Sequence, residues 1–145
     1  GVQTCALPIW LIQRARTYIY TTALPQPVAA ATRAALTLMR TEAWRRAKLR
    51  EHIDRFRERA RHRGLALADS PGHAHTPIQP IVLGDARRAL DVSAKLLAMG
   101  WWVAAIRPPT VPQGSARLRV TLSAAHEPEQ VDGLVDALAQ ACESA

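Results

Sequence analysis

Residues 101–122 read WWVAAIRPPTVPQGSARLRVTL, and their order of strand, proline-rich loop and strand decides the fold. Trp101 to Pro108 is a mostly apolar run of the kind that forms a strand, and PTVPQGS (109–115) is a loop. ARLRVTLS (116–123) then alternates polar and apolar side chains at the period of a half-buried strand. In that strand Arg117 and Arg119 share one face, and Leu118, Val120 and Leu122 share the other.

Working upstream, Ala86 to Met99 is a predicted helix with Gly100 as its terminator. IQPIVLGD (78–85) is a strand that stops at Gly84-Asp85, and LALADSPGHAHTP (65–77) is a short strand followed by a loop. Downstream, Glu127 to Ala141 is a final amphipathic helix. The order β, α, β, β, α predicts an α/β fold, a small sheet covered by helices. Before it, the Ala-rich stretch Val28 to Met39 and the periodic stretch from Thr41 to about His62 predict two helices or one long kinked one. Pro25 and Pro27 open this region and Gly64 closes it. Leu11 to Arg16 closes an earlier helix, and YIYTT (18–22), aromatic and β-branched, is predicted to be extended.

The first nine residues, GVQTCALPI, match the in-frame translation of a common sequencing-library adapter. Its left-over base T would begin a TGG codon for Trp10. Residues 1–9 are therefore expected to be non-native, so that any order in them carries no biological meaning, and the chain is expected to be a fragment whose native sequence starts at Leu11. A signal peptide is not expected, because no Lys or Arg precedes Arg14. With Cys5 set aside, Cys142 alone remains, so no internal disulfide or thiolate metal site is expected, as suits a reducing cytoplasm. No apolar stretch approaches the length of a bilayer span, and no membrane partner is expected.

The formal net charge of +7 raises the question of nucleic acid. Most of the excess sits in TEAWRRAKLREHIDRFRERARHRG (41–64). Acids are interleaved there, and Leu49, Ile53, Phe56 and Ala60 fall at helical spacing. That pattern is a solvated helix face over a buried stripe. It lacks the interleaved aromatics of single-strand binders, so no nucleic-acid partner is expected.

Three features bear on chemistry. Arg117 and Arg119 on one strand face present planar donor forks suited to carboxylates, although spacing alone favours a solvated face with ordinary ion pairs. Two prolines after Arg107 stiffen the backbone that carries Arg107 and Thr110, either as a preorganised binding loop or as a plain turn. Thr21 and Thr22 precede a proline-started helix whose free amides favour anions, although most threonine pairs simply favour extended chain. His73 and His75 lack a third ligand for a metal, His126 suits a helix N-terminal region, and Cys142 has no neighbouring histidine to make it a nucleophile.

Taken together, YIYTTALP, IQPIVLGD, WVAAIRPPTVPQGSARLRVTLSAAHE and the closing helix resemble the C-terminal third of the pyridoxal-phosphate-dependent α-oxoamine synthases. The resemblance covers essentially everything after Ile9. Its most specific part is IRPPTVP followed by ARLRVTLSAAH, in which the double proline after Arg107 is similar to the biotin-pathway branch. The resemblance implies a fold type I enzyme, a cytoplasmic homodimer with its active site at the subunit interface. On that basis residues 10–25 are the tail of a large cofactor domain, 26–63 a connecting helical segment and 64–145 the small C-terminal domain. It further implies that L-alanine condenses with a pimeloyl thioester, carried by coenzyme A or a carrier protein, with loss of carbon dioxide.

Residue by residue, Arg119 resembles the arginine that grips the amino-acid carboxylate and Thr110 a substrate-contacting threonine. Arg107 would assist with the acyl substrate. Thr21 and Thr22 resemble the pair that reaches the pyridoxal 5'-phosphate of the neighbouring subunit. The lysine that carries the cofactor has no counterpart, since Lys48 and Lys95 sit in predicted helices away from any family motif, so no catalytic residue is assigned and the chain by itself is expected to be inactive. Two alternatives stand beside this: another α-oxoamine synthase, such as a glycine C-acetyltransferase, and a non-enzymatic basic binding module.

Overall fold

A computed structural model describes residues 2–68 and 75–144, with side chains described from Leu7 onward. The chain divides into two compact units, Gly1–Thr41 and Glu42–Ala145. The second takes in the later part of the expected connecting segment together with the expected small domain.

The first unit is helical: α1 (Val2–Arg14), α2 (Arg16–Ile19) and α3 (Gln26–Thr41). The helix closing near Arg16 and the helix opened by Pro25 and Pro27 are both present, and α1 runs across Ile9 and Trp10. The expected extended segment YIYTT is not. Tyr18 and Ile19 belong to α2, and Tyr20 is a turn residue. The Thr21 amide donates to the Tyr18 carbonyl at 3.0 Å, and the Thr21 hydroxyl donates to the Thr17 carbonyl. The first unit contains no strand among its described residues, so local bonds decide the conformation and β propensity, which is largely a packing preference, has no partner within the unit to act through.

The second unit holds α4 (Trp44–His62), β1 (Ile78–Gly84), α5 (Ala86–Ala98), β2 (Ala104–Ile106), β3 (Ala116–Thr121) and α6 (Pro128–Glu143). The sheet order is β1-β3-β2, with β3 antiparallel to both neighbours. Leu118 sits opposite Ile81 and Ala105, and Val120 opposite Gln79, so these share one face. Phe56 and Ile53 of α4, Val92 and Leu96 of α5, and Val131 and Leu138 of α6 join that face in one buried cluster. The helical stripe expected from Ile53, Phe56 and Ala60 is buried, with Leu49 packed against it.

Helix ends follow their capping chemistry. The Asp85 carboxylate accepts from the Arg88 amide at 2.8 Å, and Gly100, at φ +88°, ends α5 in a conformation that glycine adopts without strain. Glu127 and Gln130 form a reciprocal capping box at α6, with Pro128 in the first turn.

The apolar run 101–108 gives only a three-residue strand. Its first part is claimed by helices: the Trp101 amide donates to the Leu96 carbonyl at 2.8 Å, and the Ser93 hydroxyl donates to the Val103 carbonyl at 2.6 Å. The Trp101 ring packs against Gly133, where an added Cβ would stand 3.1 Å from it. The short strand expected in 65–77 is a single bridge, Leu67 to Ile81. His73, in the loop that follows, lies outside the described residues.

Candidate functional site

The alternation of β3 sorts its side chains as expected: Leu118 and Val120 are buried, Arg117 is half-buried and Arg119 is exposed. Arg119 stands opposite Pro80 on β1 and Ala104 on β2, on the sheet face away from the helices. Among the described residues it makes no hydrogen bond or ion pair, and no carboxylate shares its face. A guanidinium left with its whole donor fork free beside small neighbours has the chemistry of a carboxylate anchor.

Arg107 and Thr110 lie at the end of β2, where they line one surface recess with Ile106, Pro108 and Pro109. The Thr110 amide donates to the Arg107 carbonyl at 3.0 Å, closing a tight turn around a cis Pro108-Pro109 peptide. Both side chains are exposed. The structure therefore brings Arg107 and Thr110 together and sets Arg119 on the adjoining strand. Thr21 and Thr22 belong to the first unit, exposed just before α3. There the amides of Thr22, Ala23 and Leu24 have no hydrogen-bond partner among the described residues, leaving donors for an anion.

Neither lysine is free. The Lys48 ammonium pairs with Glu127 at 3.3 Å, and the Lys95 ammonium donates to the Ser144 carbonyl and hydroxyl. Burial pushes the Cys142 thiol above its ordinary value, against a smaller opposing effect of Arg88, so a thiolate nucleophile is disfavoured. The His126 ring nitrogen Nδ1 accepts from the Ser123 amide, and its carbonyl meets Nε2 of the buried His52 at 2.9 Å. No cluster of three metal-ligating side chains occurs among the described residues.

Sequence reasoning missed two features. The arginines of α4 are paired across to α6: Arg55 and Arg59 with Asp132, and Arg59 and Arg63 with Asp136. The basic helix is thus matched by an acidic one. Ser115 was missed as well. Its hydroxyl donates to the Pro112 carbonyl at 2.6 Å while its own carbonyl accepts from Arg117 Nε at 3.0 Å. The spacing Ser-x-Arg at the start of a strand was the available signal.

Comparison with known proteins follows the same lines. The family model described as aminotransferase class I and II matches residues 2–138. A curated relative named 8-amino-7-oxononanoate synthase, from Nitrosococcus oceani, is 58% identical over 130 residues, covering 90% of this chain and 33% of the relative. The chain thus spans about a third of the length of the curated relatives it matches. A solved 8-amino-7-oxononanoate synthase from Francisella tularensis is similar with a TM-score of 0.77 at 29% identity, over 96% of this chain and 39% of that one. A serine palmitoyltransferase from S. paucimobilis, solved with bound PLP-myriocin, is similar with a TM-score of 0.80 at 25% identity, over 89% of this chain and 32% of that one.

Proposed function

The chain belongs to the class I and II aminotransferase family, and we propose that it is the substrate-gripping part of a pyridoxal-phosphate enzyme that condenses L-alanine with a pimeloyl thioester. The products would be 8-amino-7-oxononanoate, carbon dioxide and the free thiol carrier, in biotin biosynthesis. The observation that carries this is Arg119, an exposed guanidinium with no carboxylate partner among the described residues, in a chain 58% identical to a relative bearing that enzyme's name.

Arg119 would bind the alanine carboxylate as a planar fork and so orient the bonds at the α-carbon. Arg107 and Thr110, in their shared recess, would hold the acyl substrate. The cofactor, when bound, supplies an electron sink for bond breaking at the amino-acid α-carbon. Thr22 and the partnerless amides that follow it fit a phosphate, and with Thr21 they would reach the cofactor of a second copy in a homodimer. Both lysines are engaged elsewhere, so we infer that the 145 residues alone do not turn over. A cytoplasmic location suits this chemistry; no helix among the described residues is long and apolar enough to cross a membrane.

The test is product formation by the full-length protein from L-alanine and a pimeloyl thioester. Arg119→Ala is expected to raise the KM for alanine about a hundredfold. Equal or better use of glycine would replace this reading with another α-oxoamine synthase.

A further inference from the structure

The connection from Arg107 to Ser115 contains Pro108, Pro109 and Pro112, which have no amide hydrogen to give. Its far end is held instead by Ser115 and Arg117. The Ser115 amide and hydroxyl both donate to the Pro112 carbonyl, at 3.2 Å and 2.6 Å, and Arg117 Nε donates to the Ser115 carbonyl at 3.0 Å. Arg117 lies in register with Val82 on one side and Ile106 on the other, so its stem is flanked by apolar neighbours from both adjoining strands. Among the described residues of the three strands, no carboxylate occupies its face to draw the guanidinium away.

We propose that Arg117 is a positioning residue that fixes the Arg107–Ser115 loop, and through it the placement of Arg107 and Thr110 against the acyl substrate. This rests on the condensation proposed above. Arg119, two residues along the same face, would serve the amino acid, so the two arginines divide the substrates between them. Arg117 works at one remove, through Ser115 and Pro112.

The discriminating variant is Arg117→Met in the full-length protein, which keeps the stem and removes the donor. The KM for the pimeloyl thioester is expected to rise about tenfold while the KM for L-alanine stays within about twofold. Arg117→Lys restores one donor and is expected to recover most of the loss. Ser115→Ala, which removes the hydroxyl bond to Pro112 and leaves only the amide's, weakens the relay one step further on and should shift the thioester KM in the same direction, by less. Amide hydrogen exchange supplies a readout independent of turnover: exchange at Thr110 and Ser115 is expected to quicken in Arg117→Met and not in Arg117→Lys. Unchanged thioester KM with unchanged exchange, or equal rises for both substrates, would overturn the positioning role and leave the proposed reaction standing. Absence of wild-type turnover with these substrates would overturn the reaction, and the role with it.

Discussion

Gln79 is fully buried on the helix-facing side of β1, where alternation calls for an apolar residue. Its carbonyl oxygen accepts from Nη1 of the buried Arg57 at 2.7 Å, and its amide donates to the Thr76 carbonyl at 2.7 Å. Replacing Gln79 with Leu removes an acceptor from a buried cation and is expected to cost about 2 kcal/mol in chemical denaturation, despite the added apolar area. Phe56, with no exposed surface, touches the common core of helices and sheet, and Phe56→Ala should cost about 3–5 kcal/mol by the same measurement. Phe56 was legible, because a residue on a helical stripe declares its burial by spacing. The facing of Arg117 and Arg119 was legible too, since a strand has a period of two. The Arg57–Gln79 pair was not: its members lie 22 residues apart on different elements, and nothing local joins them.

Between elements, the arginines of α4 and the aspartates of α6 form a ladder along the helix pair. The hydrogen bond from Arg55, aided by the charges of Arg55 and Arg59, holds the Asp132 carboxyl below its ordinary value against a smaller opposing cost of burial. A depressed carboxylate contributes stability above the unfolded-state value, about 3.9, and that stability disappears as pH falls through the folded value. Asp132→Asn is therefore expected to melt below the wild type at pH 7, with the gap closing as the pH is taken below about 4. Added salt should shrink the gap as well, because the pairs are solvent-exposed. The amphipathic character of α4 was readable from one sequence segment, but its charge partners lie in α6, 77 residues from Arg55 and 73 from Arg63. That is why the basic run alone left nucleic acid as a question. The truncated β2 has a similar cause: hydrogen bonds from α5 and the seat of Trp101 on Gly133 take residues that strand propensity would have assigned to the sheet.

At the scale of the second unit as a whole, its helices cover one face of the sheet, and Arg119 and Thr121 are exposed on the other. That asymmetry suits a module whose second face meets substrate, and with about two thirds of its relatives' length lying beyond it, the chain is expected to need the rest for turnover. Adding pyridoxal phosphate to the 145-residue chain should give no borohydride-stable attachment, whereas the full-length protein should become labelled on a lysine, as mass spectrometry of digests would reveal. The strand order β1-β3-β2 has a further consequence for how the protein is made. Within the sheet both outer strands pair with β3, the last of the three to leave the ribosome, and β1 is otherwise bridged only by residues 66–68 among the described residues. Until residues 116–121 have emerged, the edges of β1 and β2 that face β3 wait unpaired beside an apolar face, open to neighbouring chains. Nascent chains stalled before Ala116 should therefore depend on chaperones and aggregate when released, while chains stalled well past Thr121 should not.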